Sequence, residues 1–527
     1  MDFDLNYNLI SRVAVGDILR RVGRRYPDKT AIIDGERRVT FRELDELANR
    51  FANHLLERGL QRGDRVAVLG FNSLEFVACY FGVFKAGLVW VPINIGLTNI
   101  DIQYIIANSE SKLIFVDQIL LPKLDGLVQD PAWQGKITIL EGQAAGFSSF
   151  ADNLAEERSE PQVFIADRDP AFIMYTSGTT GKPKGVVQSH LSIFVTSLAN
   201  VVEVSITSKD IAATVMPMFH VAQHALTTSF IHVGATQVIF KKFEPEAFAA
   251  TVAQEKATWV FLLPMMYRAL MASPAVQKDQ FASVRYCLYA MTPMDEVSLN
   301  KAIDYFEAEF ALATGQTEMY PATVIFKPEY QRVKQGPYWG VSSLVLDTEI
   351  MDDEGNLLGR GEVGEIVHRG PSVMNGYWKN EPETDQARKY AWHHTGDLGR
   401  FDEDGLLIFM DRKKDLIKTG GENVASVLVE SVLLAYPKLA NAVVVGLPHL
   451  QWGEAVTAIV VPKPGEMVAA EEVIAFCKTK LAGFQVPKEV ILVEELPANT
   501  SGKILKFRVR QQYKDHFSAS EENPAQN

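Results

Sequence analysis

The 527-residue chain has little cysteine, only Cys79, Cys287 and Cys477. These three residues are far apart and lack metal-ligand spacing, which argues against a disulfide framework and favours a reducing compartment. The sequence also lacks an apolar run long enough to span a bilayer, and its acidic first residues lack a basic-then-apolar targeting signal. We therefore expect a cytoplasmic protein without a membrane span.

A basic excess is absent as well, because the formal net charge is −13. A diffuse acidic charge argues against a nucleic-acid partner, although it does not exclude ATP, whose binding site is local. No internal repeat of solenoid period is present. The hydrophobic content of 47% and the charged content of 22% are ordinary for a globular chain, and the length predicts at least two domains.

Short apolar strands alternate with amphipathic helices in the N-terminal part. The pattern predicts strands at 65–70, 89–92 and 112–116, with a helix at 73–85 after the first of them. Strand, helix and strand at this spacing indicate parallel βαβ units, so the predicted fold class is α/β.

A charged segment at 411–415 separates two apolar stretches. It predicts a surface connector with a domain boundary near Lys413, while a solvated loop within one domain is the alternative. About one hundred residues follow, a normal size for a small domain. The elements predicted there are a helix at 425–435 and strands at 442–445, 456–461 and 490–493.

The strongest motif is an apolar strand at 171–175 that runs into a loop dense in Gly, Ser and Thr. Small residues let backbone N–H groups and hydroxyls surround an anion, and two lysines add positive charge. The loop is not a Walker A motif, because Thr176 and Pro183 occupy positions where that motif needs Gly and Ser or Thr. A flexible surface turn is the alternative, but a buried strand directly before it argues against that. The candidate phosphate-binding residues are Thr176, Ser177, Gly178, Thr179, Thr180, Gly181 and Lys184.

This loop resembles the phosphate-binding signature of the adenylate-forming superfamily, which includes acyl-CoA synthetases, luciferases and peptide-synthetase adenylation domains. Further motifs that resemble the same superfamily follow in its order and cover nearly the whole chain. They are residues 315–318, 364–378, 394–398, 411–424 and 496–503. The resemblance implies an acyl-CoA synthetase that activates a carboxylic acid with ATP, releases pyrophosphate and AMP through an acyl-adenylate, and transfers the acyl group to coenzyme A.

The resemblance also assigns roles around the reacting phosphate. Glu318 would bind Mg²⁺, for which a carboxylate is a suitable hard oxygen donor, and Thr317 would hydrogen-bond the α-phosphate. Gly315 and Gln316 belong to the same nucleotide-binding motif. Relatives often carry an aromatic residue that stacks on adenine where this chain has Thr314, so the stacking is lost or another ring supplies it.

Two further motifs carry charged residues. Asp397 would accept hydrogen bonds from two ribose hydroxyls, and Arg412 would assist at the ribose. Lys503 would be the transient partner of the attacking carboxylate and the α-phosphate, a role that suits a compact ammonium on a flexible stem. A solvated surface charge is the alternative for each residue alone, but their register with the other motifs favours function.

The acyl pocket is predicted from two segments. His220 ends a stretch that resembles the acyl-site motif and would line or gate the carboxylate site, although a structural histidine is the alternative. Ala290 and Met291 lie where relatives have small residues, with Tyr289 just before them, so an inward-pointing Met291 would shorten the pocket. We therefore expect a short-to-medium, branched, cyclic or aromatic acid. If Met291 instead points into the core, the channel stays open.

The resemblance implies a large, multi-subdomain N-terminal α/β domain at 1–412 and a smaller, mobile C-terminal α+β domain at 413–527, with the active site between them. One orientation would bring in Lys503 for adenylation. The other would bring Gly420 and Gly421 to line the tunnel for the pantetheine arm of CoA, and Lys413 would be the hinge.

The sequence leaves several alternatives open. The acceptor could be a carrier-protein thiol, although no carrier segment follows, and the acid could be a long-chain fatty acid. A luciferase-like oxygenase fits less well, and a catalytically inactive nucleotide-binding protein conflicts with the presence of Lys503, Glu318 and Asp397. The expected partners are thus small molecules, namely the acid, ATP and CoA, while a homodimer is left open.

Overall fold

The computed structural model describes residues 4–176, 182–290, 294–498 and 504–517. The described residues form two compact units. The first comprises those within 1–348 and 368–393, and the second those within 349–367 and 394–527. Nowhere in these ranges does a helix combine the length and the apolar character that crossing a membrane requires.

The helices are numbered in chain order. They are α1 (Leu5–Ser11), α2 (Gly16–Arg25), α3 (Phe41–Glu57), α4 (Leu74–Lys85), α5 (Asn99–Ser109), α6 (Asp125–Val128), α7 (His190–Glu203), α8 (Val221–Val233), α9 (Pro245–Glu255), α10 (Pro264–Ala272), α11 (Glu296–Phe306), α12 (Glu381–Gln386), α13 (Ser426–Leu434), α14 (Ala470–Lys478) and α15 (Lys506–Tyr513).

The strands are numbered in the same way. They are β1 (Thr30–Asp34), β2 (Arg37–Thr40), β3 (Arg65–Leu69), β4 (Val89–Pro92), β5 (Ser111–Val116), β6 (Ile137–Ile139), β7 (Ser148–Ser149), β8 (Pro170–Thr176), β9 (Lys184–Ser189), β10 (Ile211–Thr214), β11 (Thr236–Ile239), β12 (Trp259–Leu262), β13 (Tyr286–Ala290), β14 (Glu309–Thr314), β15 (Val324–Phe326), β16 (Tyr338–Ser342), β17 (Asp347–Met351), β18 (Gly364–Arg369), β19 (Gly376–Tyr377), β20 (His393–Phe401), β21 (Leu407–Arg412), β22 (Ile417–Thr419), β23 (Glu422–Val424), β24 (Leu439–His449), β25 (Gly453–Pro462) and β26 (Glu489–Leu492).

One sheet of the first unit has the strand order β19-β9-β8-β4-β3-β5-β6-β7. Strand β3 pairs in parallel with both β4 and β5, so the predicted βαβ units and the α/β class are confirmed. Helix α4 begins where predicted because the Ser73 side chain accepts a hydrogen bond from the N–H of Phe76. At the other end, β8 turns back into β9 as an antiparallel hairpin.

The second sheet of the first unit runs β16-β15-β14-β13-β12-β10-β11-β1-β2. Alternation along β13 directs Cys287 and Tyr289 to one face and Tyr286 and Leu288 to the other. The first pair packs in a core with residues of α9, α10 and α11, and the second pair packs with residues of α8. The sheet is therefore covered on both faces, as is usual for parallel strands.

The second unit contains an antiparallel pair, β20 with β21, next to β18 and β17. A separate sheet has the order β23-β22-β25-β24, with β26 parallel to β25 and a core shared with α13 and α14. The predicted C-terminal helix corresponds to α13, two of the predicted strands lie within β24 and β25, and the third overlaps β26 but extends one residue beyond it. The large N-terminal and smaller C-terminal parts of the predicted fold are thus both present, while a boundary at 412/413 stays a prediction.

The segment at 411–415 corrects one expectation, because its two aspartates are not on the surface. Asp411 is only 1% exposed and Asp415 only 6%. The hydroxyl of Ser426 donates to Asp411 Oδ2 at 2.6 Å, and Arg510 Nη2 lies 2.8 Å from Asp415 Oδ1. Pairing compensates for the burial of these charges, so a charged run here is partly interior.

Candidate active site

The predicted phosphate loop lies between the paired strands β8 and β9 in sequence. Thr176 ends β8, Lys184 begins β9, and the two residues are directly paired across the hairpin. Lys184 Nζ lies 2.8 Å from Glu383 Oε2 and 4.7 Å from the centre of the Tyr377 ring. The structure thus brings Thr176 and Lys184 together at the base of the loop. The loop residues Ser177, Gly178, Thr179, Thr180 and Gly181 lie outside the described residues.

Gly315 and Gln316 follow β14 and lead into a single 3₁₀ turn, Thr317–Met319. A Cβ atom on Gly315 would lie 2.5 Å from Pro321 Cβ, so this close approach requires glycine. The carbonyl oxygen of Thr317 accepts a hydrogen bond from Gln188 Nε2 at 3.1 Å. Because Gln188 lies in β9, the Thr-Glu motif is connected to the strand that follows the predicted phosphate loop.

Glu318 accepts a hydrogen bond at Oε1 from the hydroxyl of Tyr377 at 3.0 Å. Burial, together with the nearby Glu318 carboxylate, raises the pKa of Tyr377 well above its usual value, so the phenol stays neutral and donates. Tyr377 therefore contacts Glu318 through its hydroxyl and Lys184 through its ring. Mg²⁺ in proteins is commonly held by one or two carboxylates together with substrate phosphates, and the Glu318 carboxylate fits that role.

His220 is the N-cap residue of α8 and makes no side-chain capping hydrogen bond. Burial lowers the pKa of His220, so its imidazole is neutral near pH 7. One turn later, Nδ1 of His224 lies 2.9 Å from the hydroxyl of Tyr320, two residues after Glu318. The first turn of α8 is therefore connected to the segment that carries Glu318.

Tyr289 lies on the opposite face of its sheet from α8. Its hydroxyl donates to Gln331 Oε1 at 2.8 Å, in a core that also contains Phe326. The structure therefore does not bring Tyr289 and His220 together, because strand alternation separates them. The third predicted pocket residue, Met291, is outside the described part of the chain.

In the second unit, Asp397 of β20 and Arg412 of β21 are cross-strand partners. Arg412 Nε lies 3.4 Å from Asp397 Oδ1. The hydroxyl of Thr395 accepts from the Asp397 N–H at 3.0 Å and donates to the carbonyl oxygen of Ile366 at 2.6 Å. These bonds fix the backbone of the predicted ribose motif and bring its two predicted residues together.

Lys413 follows directly after β21. Its Nζ lies 2.6 Å from Asp353 Oδ1 and 3.1 Å from Glu365 Oε2. Burial alone would lower the pKa of Lys413, but these two carboxylates outweigh it and raise the pKa above its usual value. Lys413 is therefore a charged residue held by ion pairs.

Gly420 and Gly421 form the turn between β22 and β23, with φ angles of +59° and +86° that favour glycine. The N–H of Gly420 donates to the carbonyl oxygen of Trp452 at 2.8 Å. Lys503 lies outside the described residues. Before and after it, Ala498 and Ile504 pair across an antiparallel bridge.

The sequence prediction missed three residues that hold the predicted site residues: Gln188, Glu365 and Tyr377. Glu365 and Tyr377 belong to the recognised motif at 364–378, but nothing local revealed their contacts. Their hydrogen bonds to Thr317, Lys413 and Glu318 span 129, 48 and 59 residues respectively. Such contacts are decided by strand order, which a local pattern does not specify.

Comparison with known protein families identifies the class of enzyme. The family model described as "AMP-binding enzyme" matches residues 19–378. A second family model, described as "AMP-binding enzyme C-terminal domain", matches residues 428–503. The chain belongs to the AMP-binding enzyme family, within the adenylate-forming superfamily.

Individual relatives point to the CoA ligase branch. Feruloyl-CoA synthase of an Amycolatopsis species is 32% identical over 94% of this chain and 98% of its own length. The long-chain-fatty-acid–CoA ligase FadD13 of Mycobacterium tuberculosis is 33% identical over 90% of this chain and 93% of its own. The crystal structure of ATP-bound MatB from Rhodopseudomonas palustris superposes with a TM-score of 0.86 at 29% identity, covering 95% of this chain and 99% of that one. The enzyme is accordingly an acyl-CoA synthetase that works through an acyl-adenylate.

Proposed function

We propose that this ligase activates a short-to-medium, branched, cyclic or aromatic carboxylic acid, rather than a long straight-chain fatty acid. The names of its relatives support both kinds of substrate, since one is a feruloyl-CoA synthase and another a long-chain-fatty-acid–CoA ligase. The observation that carries the proposal is the polar character of the first turns of α8, the helix that begins at the predicted acyl-site histidine.

Three buried polar atoms lie within two turns of the start of α8: His220 Nε2, Gln223 Oε1 and His224 Nε2. Within the described ranges of the chain, none of them has a hydrogen-bond partner. A buried polar group without a partner costs about 1–3 kcal/mol, and a long apolar chain beside it could not supply the missing bond. A compact acid with its carboxylate and further polar groups at this helix could do so, which favours the first substrate class.

Activation requires a carboxylate oxygen to attack the α-phosphorus of ATP while pyrophosphate leaves. We propose that a set of cations and hydrogen-bond donors offsets the repulsion between these like charges. Lys184 and the loop from Thr176 to Gly181 bind phosphate oxygens, Thr317 hydrogen-bonds the α-phosphate, and Lys503 contacts the reacting oxygens. Bound Mg²⁺, held by Glu318, would neutralise charge on the polyphosphate. Gly315 and Gln316 complete the nucleotide site.

The ribose is assigned to Asp397 and Arg412. The Asp397 side chain is buried. A carboxylate forms stronger hydrogen bonds than a neutral acceptor, so its two oxygens can bind both ribose hydroxyls. In the second half-reaction, the CoA sulfur attacks the acyl carbonyl carbon, the thiol proton is lost and AMP leaves. Gly420 and Gly421 would border the path of the pantetheine arm, because glycines leave room beside the backbone.

We also propose that 1–412 is the adenylate-forming domain and 413–527 a mobile domain that carries Lys503, with Lys413 as the hinge. The two family matches support this division, since the first ends at residue 378 and the second begins at residue 428. The proposed boundary lies in the stretch between them.

The test is a panel of carboxylic acids offered with ATP and Mg²⁺, with and without CoA, scored for pyrophosphate release and for CoA thioester by mass spectrometry. The panel contains aromatic, branched and short acids beside palmitate. We expect the highest kcat/KM for a member of the first group. Efficient use of palmitate would overturn the substrate class. Pyrophosphate release that yields thioester only on a carrier protein would overturn CoA as the acceptor.

A further inference from the structure

Glu365 is a buried carboxylate near the start of β18, and only 8% of the residue is exposed. Its Oε1 accepts a hydrogen bond from the N–H of Gly396 at 2.9 Å, and its Oε2 lies 3.2 Å from Nδ1 of His394. Both partners belong to the short segment that immediately precedes Asp397. The Glu365 carboxylate therefore holds the backbone that presents the proposed ribose-binding residue.

The same carboxylate also holds Lys413. Its Oε2 lies 3.1 Å from Lys413 Nζ, while the N–H of Lys413 donates to the carbonyl oxygen of Gly396 at 2.8 Å. Lys413 has a second ion pair, with Asp353 Oδ1 at 2.6 Å, but the Asp353 side chain is 76% exposed. Glu365 is thus the buried partner that the ribose segment and the hinge residue share.

The energetics of the two ion pairs differ. An exposed pair such as Asp353–Lys413 contributes little. A buried carboxylate that loses a partner is strongly destabilised, because the remaining charge is neither hydrated nor paired. Burial would by itself raise the pKa of Glu365, but hydrogen bonds from Gly396, His394 and Lys413 outweigh it and hold the pKa below its usual value. The carboxylate is therefore ionised at neutral pH and needs these contacts.

We propose that Glu365 is a positioning residue that links the ribose-binding segment to Lys413, so that nucleotide binding and backbone rotation at Lys413, the proposed hinge, depend on each other. Rotation at Lys413 carries its ammonium away from a carboxylate that is anchored in a β-sheet. Nucleotide that orders the ribose segment holds Glu365 in place and so favours the Lys413 contact. The proposal rests on the proposed roles of Asp397 and Lys413.

The test is the affinity of the full-length chain for AMP, measured by isothermal titration calorimetry. Glu365→Gln keeps an acceptor for the Gly396 N–H and removes the charge, whereas Lys413→Met removes the ammonium and keeps the stem. We expect each variant to bind AMP about tenfold more weakly, and the double variant no more weakly than either single one. Additive losses of about a hundredfold would show two independent effects and overturn the link.

Two control variants separate charge from structure. Asp353→Asn removes the exposed pair and should change AMP affinity by less than about twofold. Lys413→Arg keeps the charge and should restore most of the affinity that Lys413→Met loses. If Glu365→Gln does not fold, the comparison of Lys413→Arg with Lys413→Met decides the question. Equal AMP affinities of these two variants would overturn the proposal.

A last variant distinguishes this inference from the proposed function. Asp397→Asn should weaken AMP binding through the ribose itself. If it leaves the affinity unchanged, the ribose assignment fails and the link fails with it. If Asp397→Asn weakens binding while Glu365→Gln and Lys413→Met stay within twofold of the native chain, only the link is wrong.

Discussion

The hydroxyl of Tyr377 donates to Glu318 Oε1 at 3.0 Å, although 59 residues separate the two in sequence. The pairing of β19 with β9 places Tyr377 there, next to the hairpin that also carries Lys184. A neutral phenol on β19, the strand next to β9, thus orients the carboxylate that we propose binds Mg²⁺.

Replacing Tyr377 with Phe should remove this hydrogen bond and leave the ring beside Lys184. A hydrogen bond to a charged group contributes about 1.5–3 kcal/mol, so we expect kcat/KM for adenylation to fall about tenfold, with a higher Mg²⁺ requirement. Pyrophosphate exchange at varied Mg²⁺ concentration measures both, with Tyr7→Phe, an exposed site, as the control. An unchanged Mg²⁺ dependence would show that Tyr377 does not orient Glu318 for the metal.

Replacing Lys503 with Ala should remove the cation that opposes charge at the α-phosphate. Adenylate formation should fall by two or more orders of magnitude, as expected for one preorganised charge. Thioester formation from supplied acyl-adenylate should largely survive. Lys480→Ala, at an exposed lysine of the same unit, is the control. Equal losses in both half-reactions would mean that Lys503 is not specific to adenylation.

Position 421 tests the CoA path. Gly421 has a φ of +86°, so Gly421→Ala and Gly421→Leu both introduce backbone strain, but only Leu adds bulk. We expect adenylation to be similar in the two variants and thioester formation to be lost selectively in the Leu variant. Pyrophosphate exchange and thioester yield are measured side by side. Matching thioester yields in the Ala and Leu variants would place the pantetheine arm elsewhere.

Met291 tests substrate size. If its side chain limits the acyl pocket, Met291→Gly should extend the accepted acid by a few methylene groups, each contributing about 0.8 kcal/mol when buried. The measurement is kcat/KM across a series of straight-chain acids for the native and variant enzymes, with Met467→Gly at an exposed site as the control. An unaltered chain-length profile in Met291→Gly would remove Met291 from the pocket.

Asp117 gives a pH-dependent prediction for stability. It is buried at the end of β5, and burial raises its pKa to about 7 from the usual 3.8, despite a hydrogen bond from the N–H of Phe71. The folded state therefore binds more protons than the unfolded state between about pH 4 and pH 7, so this group's contribution to stability falls as pH rises through that range.

Asp117→Asn keeps an acceptor for the Phe71 N–H and removes the ionisation. Its unfolding midpoint should therefore rise relative to that of the native chain as pH increases from 5 to 8, which thermal unfolding at several pH values can measure. Asp28→Asn, at a side chain that is 87% exposed, should show no such trend. Parallel pH profiles for the native and Asp117→Asn chains would mean that Asp117 is ionised throughout.

The sequence by itself determined the strands β3, β4 and β5, the helix α4, the α/β class and the order of the nucleotide motifs. These features depend on local periodicity, capping and turn residues, which act over a few positions and are visible in the chain. It also indicated a buried strand directly before the predicted phosphate loop, and this strand corresponds to β8.

Only the tertiary structure decided which groups meet. Strand pairing placed Tyr377 next to Glu318, and Glu365 next to both Gly396 and Lys413. The packing of α13 against β21 placed Ser426 next to Asp411, so an apparently exposed charged segment is partly buried. Strand alternation separated Tyr289 from His220, although both were expected at one pocket. The reason is that side-chain partners across a sheet depend on strand order and register between distant segments, whereas sequence patterns report only which face of its own element a residue prefers.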